Sequence, residues 1–220
     1  MILGSLLGDA SIGKPLGEQY QKANARIQLV HSIKQKPYVE WKYEILKNIV
    51  LAPPSIRSVM SGKNRGFIKD EYMAFGFATR CLPCVTEIFN LMGTREITQK
   101  WLDEITDPIA LAVWYMDDGC LAVDRKYEKL RYSIRFCVGD RNLHELELLK
   151  SWMNTRFGLD YVRIYIPPNR PTKRELQILH FQTVKKFENI VRPHILPSMQ
   201  YKMPPEDRPL CKYRTPKHTI

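Results

Sequence analysis

Twice along the chain an apolar run stops at an acid with a small residue directly after it. Residues 2 to 10 read ILGSLLGDA and residues 111 to 119 read LAVWYMDDG. The spacing predicts a helix for each, ending at Asp9 and at Asp118. The segments after the two runs are also similar in pattern. Residues 25 to 31 (ARIQLVH) alternate as a strand, with Ile27 and Leu29 on one face and Arg26 and Gln28 on the other. Residues 36 to 50 have apolar positions at helical spacing, with Val39, Trp41 or Tyr43, Ile45, Leu46 and Ile49 as the stripe. Pro53 and Pro54 end that element. Residues 55 to 62 and 68 to 79 read as a hairpin around Gly62 to Gly66, and a helix is predicted from Pro83 to Met92.

The second half repeats the order. Residues 130 to 138 (LRYSIRFCV) put Tyr132, Ile134, Phe136 and Val138 on one face and Arg131, Ser133 and Arg135 on the other. A helix is predicted from Leu143 to Phe157, buried through Leu146, Leu149, Trp152 and Met153. Strands over 160–166 and 174–182 flank a proline-rich turn, and a helix over 184–195 closes the half. Each half is therefore expected to run α-β-β-α-β-β-α, an α+β fold with two pseudo-symmetric αββαββα halves. The expected division is 1–92 for the first half, 93–107 for a polar joining segment, 108–202 for the second half and 203–220 for a basic, proline-rich tail, mobile or folding onto nucleic acid.

Charge sharpens the picture. Lys and Arg outnumber Asp and Glu by 34 to 23, for a net +11 and a pI near 9.4, an electrostatic footprint for nucleic acid. No apolar stretch is long enough for a membrane span, and no signal peptide is visible. Five scattered cysteines are expected to be reduced, intracellular thiols. Cys81 and Cys84 form a CxxC, but zinc would need a second pair at that spacing, which is absent, so they read as two thiols at a helix entrance.

The polar strand faces are rich in residue types that bond base edges. Arg26, Gln28, Arg57, Arg131, Ser133, Arg135, Arg163, Arg174 and Gln177 recur there. Arg and Gln make bidentate contacts to guanine and adenine, and a twisted ribbon fits the major groove. In the first motif Gly4 and Gly8 share a helix face, which allows another helix to approach closely. Such an approach would bring Asp9 and Asp118 together. Two adjacent carboxylates favour a cation between them, and oxygen ligands suit Mg2+. Adjacent helical side chains diverge by about 100°, so Asp117 and Asp118 cannot both face the axis. Aligning the copies sets Asp118 opposite Asp9, since small residues (Gly119, Ala10) come after both, and leaves Asp117 as a helix-end or surface acid.

These phrases resemble the LAGLIDADG motif. The chain is similar to the single-chain, two-motif LAGLIDADG homing endonucleases of the intron-encoded type, through Leu6 to Ala10, Leu111 to Gly119 and the phrase Ile195 to Pro204 (ILPSMQYKMP). The resemblance implies a monomer whose two halves form a saddle on a long double-stranded DNA site. It also implies Mg2+-dependent cleavage of both strands, with metal on Asp9 and Asp118, and a basic residue near each scissile phosphate. Lys202 matches one such residue; Arg95 is the nearest match to the other, with Lys100 as the fallback. An RNA maturase acting on intron RNA, or a non-cleaving nucleic-acid-binding protein on the same fold, is the alternative. Retention of both acids favours the enzyme. An intein is not expected, because no flanking Cys or Ser and no His-Asn end is present. The compartment expected is an organelle (mitochondrion or chloroplast) or a prokaryotic cytoplasm.

Two departures from the pattern stand out. Val113, Trp114 and Met116 replace small residues in the second motif, so helix packing is expected to be asymmetric. The chain starts only eight residues before Asp9, so the first motif's helix is expected to lack an N-terminal turn, as in a fragment or a longer reading frame.

Overall fold

A computed structural model describes residues 1–15, 17, 22–59, 72–93, 96–126, 129–169 and 172–206. The chain divides into two units. The first comprises Met1–Glu96 with Leu196–Ser198, and the second Ile97–Ile195 with Met199–Ile220.

The first unit opens with α1 (Ile2–Leu7), then β1 (Ser11–Gly13) and β2 (Arg26–Ser32). Next come α2 (Lys36–Leu46), β3 (Ser55–Val59), β4 (Tyr72–Ala78) and α3 (Pro83–Met92). The four strands form an antiparallel sheet in the order β1-β2-β4-β3. β2 alternates as its sequence predicts. Ile27 and Leu29 are buried beneath α2 and α3 with Tyr38, Val39, Phe77 and Val85, while Arg26 and Gln28 face the other way, half-buried. The α2 stripe differs from expectation. Tyr38, Val39, Lys42 and Leu46 are buried and Ile45 is exposed, because Lys42 finds an imidazole and an aromatic face inside, from His31 and Tyr38. The turn expected at residues 62 to 66 lies outside the described residues.

The second unit begins with α4 (Gln99–Asp103) and α5 (Pro108–Asp118), then β5 (Gly119–Lys126) and β6 (Lys129–Gly139). α6 (Leu143–Phe157), β7 (Val162–Tyr165), β8 (Arg174–Ile178) and α7 (Phe181–Val191) complete it. Its sheet is again antiparallel and has the corresponding order, β5-β6-β8-β7. The same αββαββα frame is thus present in each unit. β7 starts later than predicted because Tyr161 turns the chain with φ of 60°. The closing helix starts earlier, at Phe181, and gives way to a 3-10 turn over Arg192–His194.

Local chemistry fixes the helix ends. Asn142 and Glu145 form a reciprocal capping box on α6, and Gly158 ends that helix in the left-handed conformation. Asp107 accepts the Ile109 N–H at the start of α5, with Pro108 in the first turn. α5 is buried along Ala110–Met116. Its Trp114 and Tyr115 rings pack against Phe136, and the Tyr115 ring also meets Phe187.

The joining segment, 93 to 107, does more than its polar majority suggests. Ile97, Trp101, Leu102 and Ile105 are buried in the second unit. The Ile97 N–H donates to Glu145, and the Trp152 indole N–H to the Ile105 carbonyl. The tail's first residues, Met203 and Pro204, are buried, with Arg192 donating to the Pro204 carbonyl at 2.8 Å. Residues 207–220 lie outside the described residues.

Candidate functional site

In the first unit, α1 ends at Leu7 and the chain turns back, with the Ala10 N–H donating to the Ser5 carbonyl at 2.8 Å. The turn leaves Asp9 beyond the helix end with its side chain 46 % exposed. β2 brings His31 beside it, and Asp9 Oδ2 lies 3.3 Å from His31 Nδ1. The opposite ring nitrogen, Nε2, lies 3.3 Å from Lys42 Nζ. Sequence reasoning does not single out His31 or Lys42. His31 has the parity of Ile27 and Leu29, which is the available signal; Lys42 gives none, since a lysine in a helix ordinarily points to solvent.

In the second unit, Asp118 is the last residue of α5 and is half-buried, as is Asp117. Gly119 is the small residue after it, and the reason is steric. A Cβ there would run into the Tyr115 ring and the Tyr115 carbonyl. Lys202 lies against the same helix end. Its Nζ donates to the carbonyl of Met116 at 2.6 Å and to that of Asp117 at 3.4 Å, and its own carbonyl accepts from the Tyr115 hydroxyl at 2.5 Å. Burial pushes the Tyr115 hydroxyl well above its ordinary pKa, so it stays a donor. Arg95 lies outside the described residues; Lys100 is exposed on α4.

The polar sheet faces divide the other sequence-predicted residues. In the first unit, Arg26 pairs with Gly13 and Gln28 with Ser11, and these four with Lys14 line an open cleft. Arg57 pairs with Ala74, and its side chain lies outside the described ones. In the second unit, Arg135 pairs with Gln177, which pairs in turn with Arg163, so the three share one face. Arg131 lies on the same face and is exposed, as is Arg163. Ser133 and Gln177 are buried, and Gln177 donates to Glu175 at 2.7 Å. Arg174 departs from the group. It has the parity of the core residues Leu176 and Ile178, and its guanidinium donates to the Arg141 carbonyl. Residue type alone could not distinguish it; its alternation with Leu176 and Ile178 along β8 does.

The same face of the second unit carries two thiols. Cys120 pairs with Arg135, and Cys137, two residues further along β6, is hydrogen-bonded to Cys120. That bond, aided by Arg135, holds the Cys120 thiol down at about 6 against the upward effect of burial, and drives Cys137 up. Cys81 and Cys84 are exposed free thiols at the start of α3.

What would hold divalent metal is therefore one carboxylate-bearing helix end per unit. Both lie where backbone carbonyls concentrate partial negative charge, which favours a cation. The oxygen donors of Asp9 and Asp118 fit a hard divalent ion.

A model of the LAGLIDADG DNA endonuclease family matches residues 1–165. The chain is 28 % identical over 212 residues to "Protein RecA" of Mycobacterium gastri, covering 93 % of this chain and 46 % of the relative. It is 24 % identical over 202 residues to "Probable intron-encoded endonuclease 1" of Wickerhamomyces canadensis, covering 92 % of this chain and 81 % of that one. The chain thus spans just under half the length of the RecA relatives it matches. Among solved structures, the homing endonuclease I-WcaI bound to its DNA recognition sequence has a similar fold, with a TM-score of 0.73 at 20 % identity over 92 % of this chain and 83 % of that one.

Proposed function

Because the chain belongs to the LAGLIDADG DNA endonuclease family, we propose that it is a site-specific DNA endonuclease that cuts both strands of a long asymmetric duplex and promotes intron homing. The observation that carries this reading is the duplicated frame. Each unit has the same strand order, and each opens its αββαββα frame with a motif helix that delivers an acid at its end, Asp9 in one and Asp118 in the other. A binding protein has no need of those acids.

Asp9 and Asp118 would hold divalent metal, Mg2+ being an ion that suits carboxylate oxygens. The chemistry such an ion supplies is activation of water and stabilisation of the departing oxygen in phosphodiester hydrolysis. The protein's own part is positioning. Arg26 and Gln28 in one unit, and Arg131, Arg135 and Arg163 in the other, engage DNA from the polar sheet faces. Lys202 fixes the end of the helix that carries Asp118, and the excess positive charge draws the duplex in.

The test is to incubate the protein with a duplex carrying the intronless allele of its host gene. One double-strand cut in Mg2+, lost on adding EDTA and abolished by Asp118→Asn, is the expected result. Unchanged cutting by Asp118→Asn overturns the site assignment. Binding of intron RNA with no cutting of any duplex overturns the endonuclease reading in favour of a maturase.

A further inference from the structure

β2 carries an imidazole to the helix-covered side of the first sheet. His31 is 5 % exposed, and Lys42, one turn after Tyr38 on α2, is fully buried. The Lys42 ammonium lies 4.2 Å from the centre of the Tyr38 ring, which packs 5.1 Å from the imidazole. A lysine is an expensive way to fill that space. Burial strips water from its amino group, and an apolar side chain of similar length would pack there without the penalty. Two neighbours offset the cost: the face of Tyr38 and the Nε2 atom of His31, 3.3 Å away.

The pairing has a directional consequence. A lysine ammonium has three donors and no acceptor, and a neutral imidazole has one N–H and one lone pair. If Nε2 accepts from Lys42, the ring proton is on Nδ1, which faces Asp9 Oδ2 at 3.3 Å. We infer that Lys42 and His31 form a buried positioning relay in which Lys42 fixes the Nδ1–H tautomer of His31 and so keeps the ring proton on the nitrogen that lies 3.3 Å from the Asp9 carboxylate. The inference rests on the reading of Asp9 as a metal-holding acid. A donor on one oxygen restrains an otherwise half-exposed side chain, and a carboxylate held that way can ligate a cation through its other oxygen. Partners that orient a ligand in this way typically change metal affinity by about 10- to 100-fold when removed. Neither residue touches the reacting phosphate, so both are positioning residues.

The tautomer can be read directly. Long-range proton–nitrogen correlation on the full chain with labelled histidine distinguishes Nδ1–H from Nε2–H rings, and His31→Gln identifies the His31 signal among the five histidines. The expected result is Nδ1–H in the wild type and in Lys42→Gln, whose amide still donates, with a change toward Nε2–H in Lys42→Met. Titration with Mn2+, monitored by broadening of the His31 signals, should need roughly 10-fold more ion for Lys42→Met than for Lys42→Gln. An Nε2–H ring in the wild type overturns the inference, and that measurement stands even if Lys42→Met fails to fold. An unchanged tautomer and Mn2+ midpoint in a folded Lys42→Met overturn it as well. The endonuclease reading fails separately, through Asp118→Asn, so the two outcomes cannot be confused.

Discussion

The Lys202 ammonium donates to the Met116 carbonyl at 2.6 Å while the Tyr115 hydroxyl donates back to the Lys202 carbonyl at 2.5 Å, so one residue is tied twice to the end of the helix that carries Asp118. A helix leaves its last carbonyls unpaired, and a cation there also complements the helix dipole. Lys202→Met removes the charged donor but keeps the length of the side chain. The expected cost is about 1.5–3 kcal/mol in urea unfolding, as for a hydrogen bond to a charged group. Tyr115→Phe removes the other tie and should cost about 1 kcal/mol. Because the two share one helix end, the double variant should not be additive. Strict additivity would show that the ties act separately.

Gly119 argues for the motif's small residue on steric grounds alone. Its backbone is extended, so conformational freedom is not the issue; a Cβ would overlap the Tyr115 ring and carbonyl. Gly119→Ala should lower stability by about 1–3 kcal/mol, the usual cost of overpacking, with a lower midpoint in thermal unfolding as the measurement. Ala10, the counterpart after Asp9, already has a Cβ, so the first unit meets the requirement differently.

The repeat, the element order and the faces of β2 and β6 were legible because apolar periodicity reports burial directly. Two parts of the site were not. Lys42 occupies a core position that its charge disguises, and only the partners brought to it by β2 and by Tyr38 explain it. Arg174 carries the right chemistry for DNA contact, and that residue type disguises a position whose alternation with Leu176 and Ile178 belongs to the core side of β8. Trp101 and Leu102 likewise sit in a segment whose surroundings are polar, so their burial comes from α6 rather than from their neighbours in sequence.

The thiol pair makes a pH prediction with a definite sign. Cys120 is held at about 6, first by the hydrogen bond from Cys137 and then by Arg135. A lowered thiol pKa means thiolate above that value and thiol below it. Alkylation of Cys120 by iodoacetamide should therefore rise as pH passes through about 6 and level off, while Cys137, driven upward, stays unreactive over the same range. Cys137→Ser keeps a donor and should preserve the profile. Cys137→Ala removes it and should move the profile toward that of an ordinary thiol, near about 8.5. A profile indifferent to Cys137 would refute the pairing.

The cleft of the first sheet separates base reading from backbone attraction. Arg26 and Gln28 stand opposite Gly13 and Ser11, and Gln28 has Ala78 on its other side. A Cβ at Gly13 would meet nothing within 4 Å. These small neighbours leave two long polar side chains with room for a base edge beside them. If Gln28 reads an adenine, Gln28→Ala should flatten the preference at one position of the target, a loss of about 1–3 kcal/mol of discrimination. The dependence of affinity on salt should stay as it was. Arg131 is instead exposed near the start of β6, opposite Asp124. Arg131→Ala should weaken binding to all sequences alike and make the slope of log affinity against log salt shallower by about 1, the signature of a lost phosphate contact. Gly13→Tyr fills the cleft from an open position. It should change base preference while leaving the urea midpoint in place, which binding selections on randomised duplexes and an unfolding curve would check together.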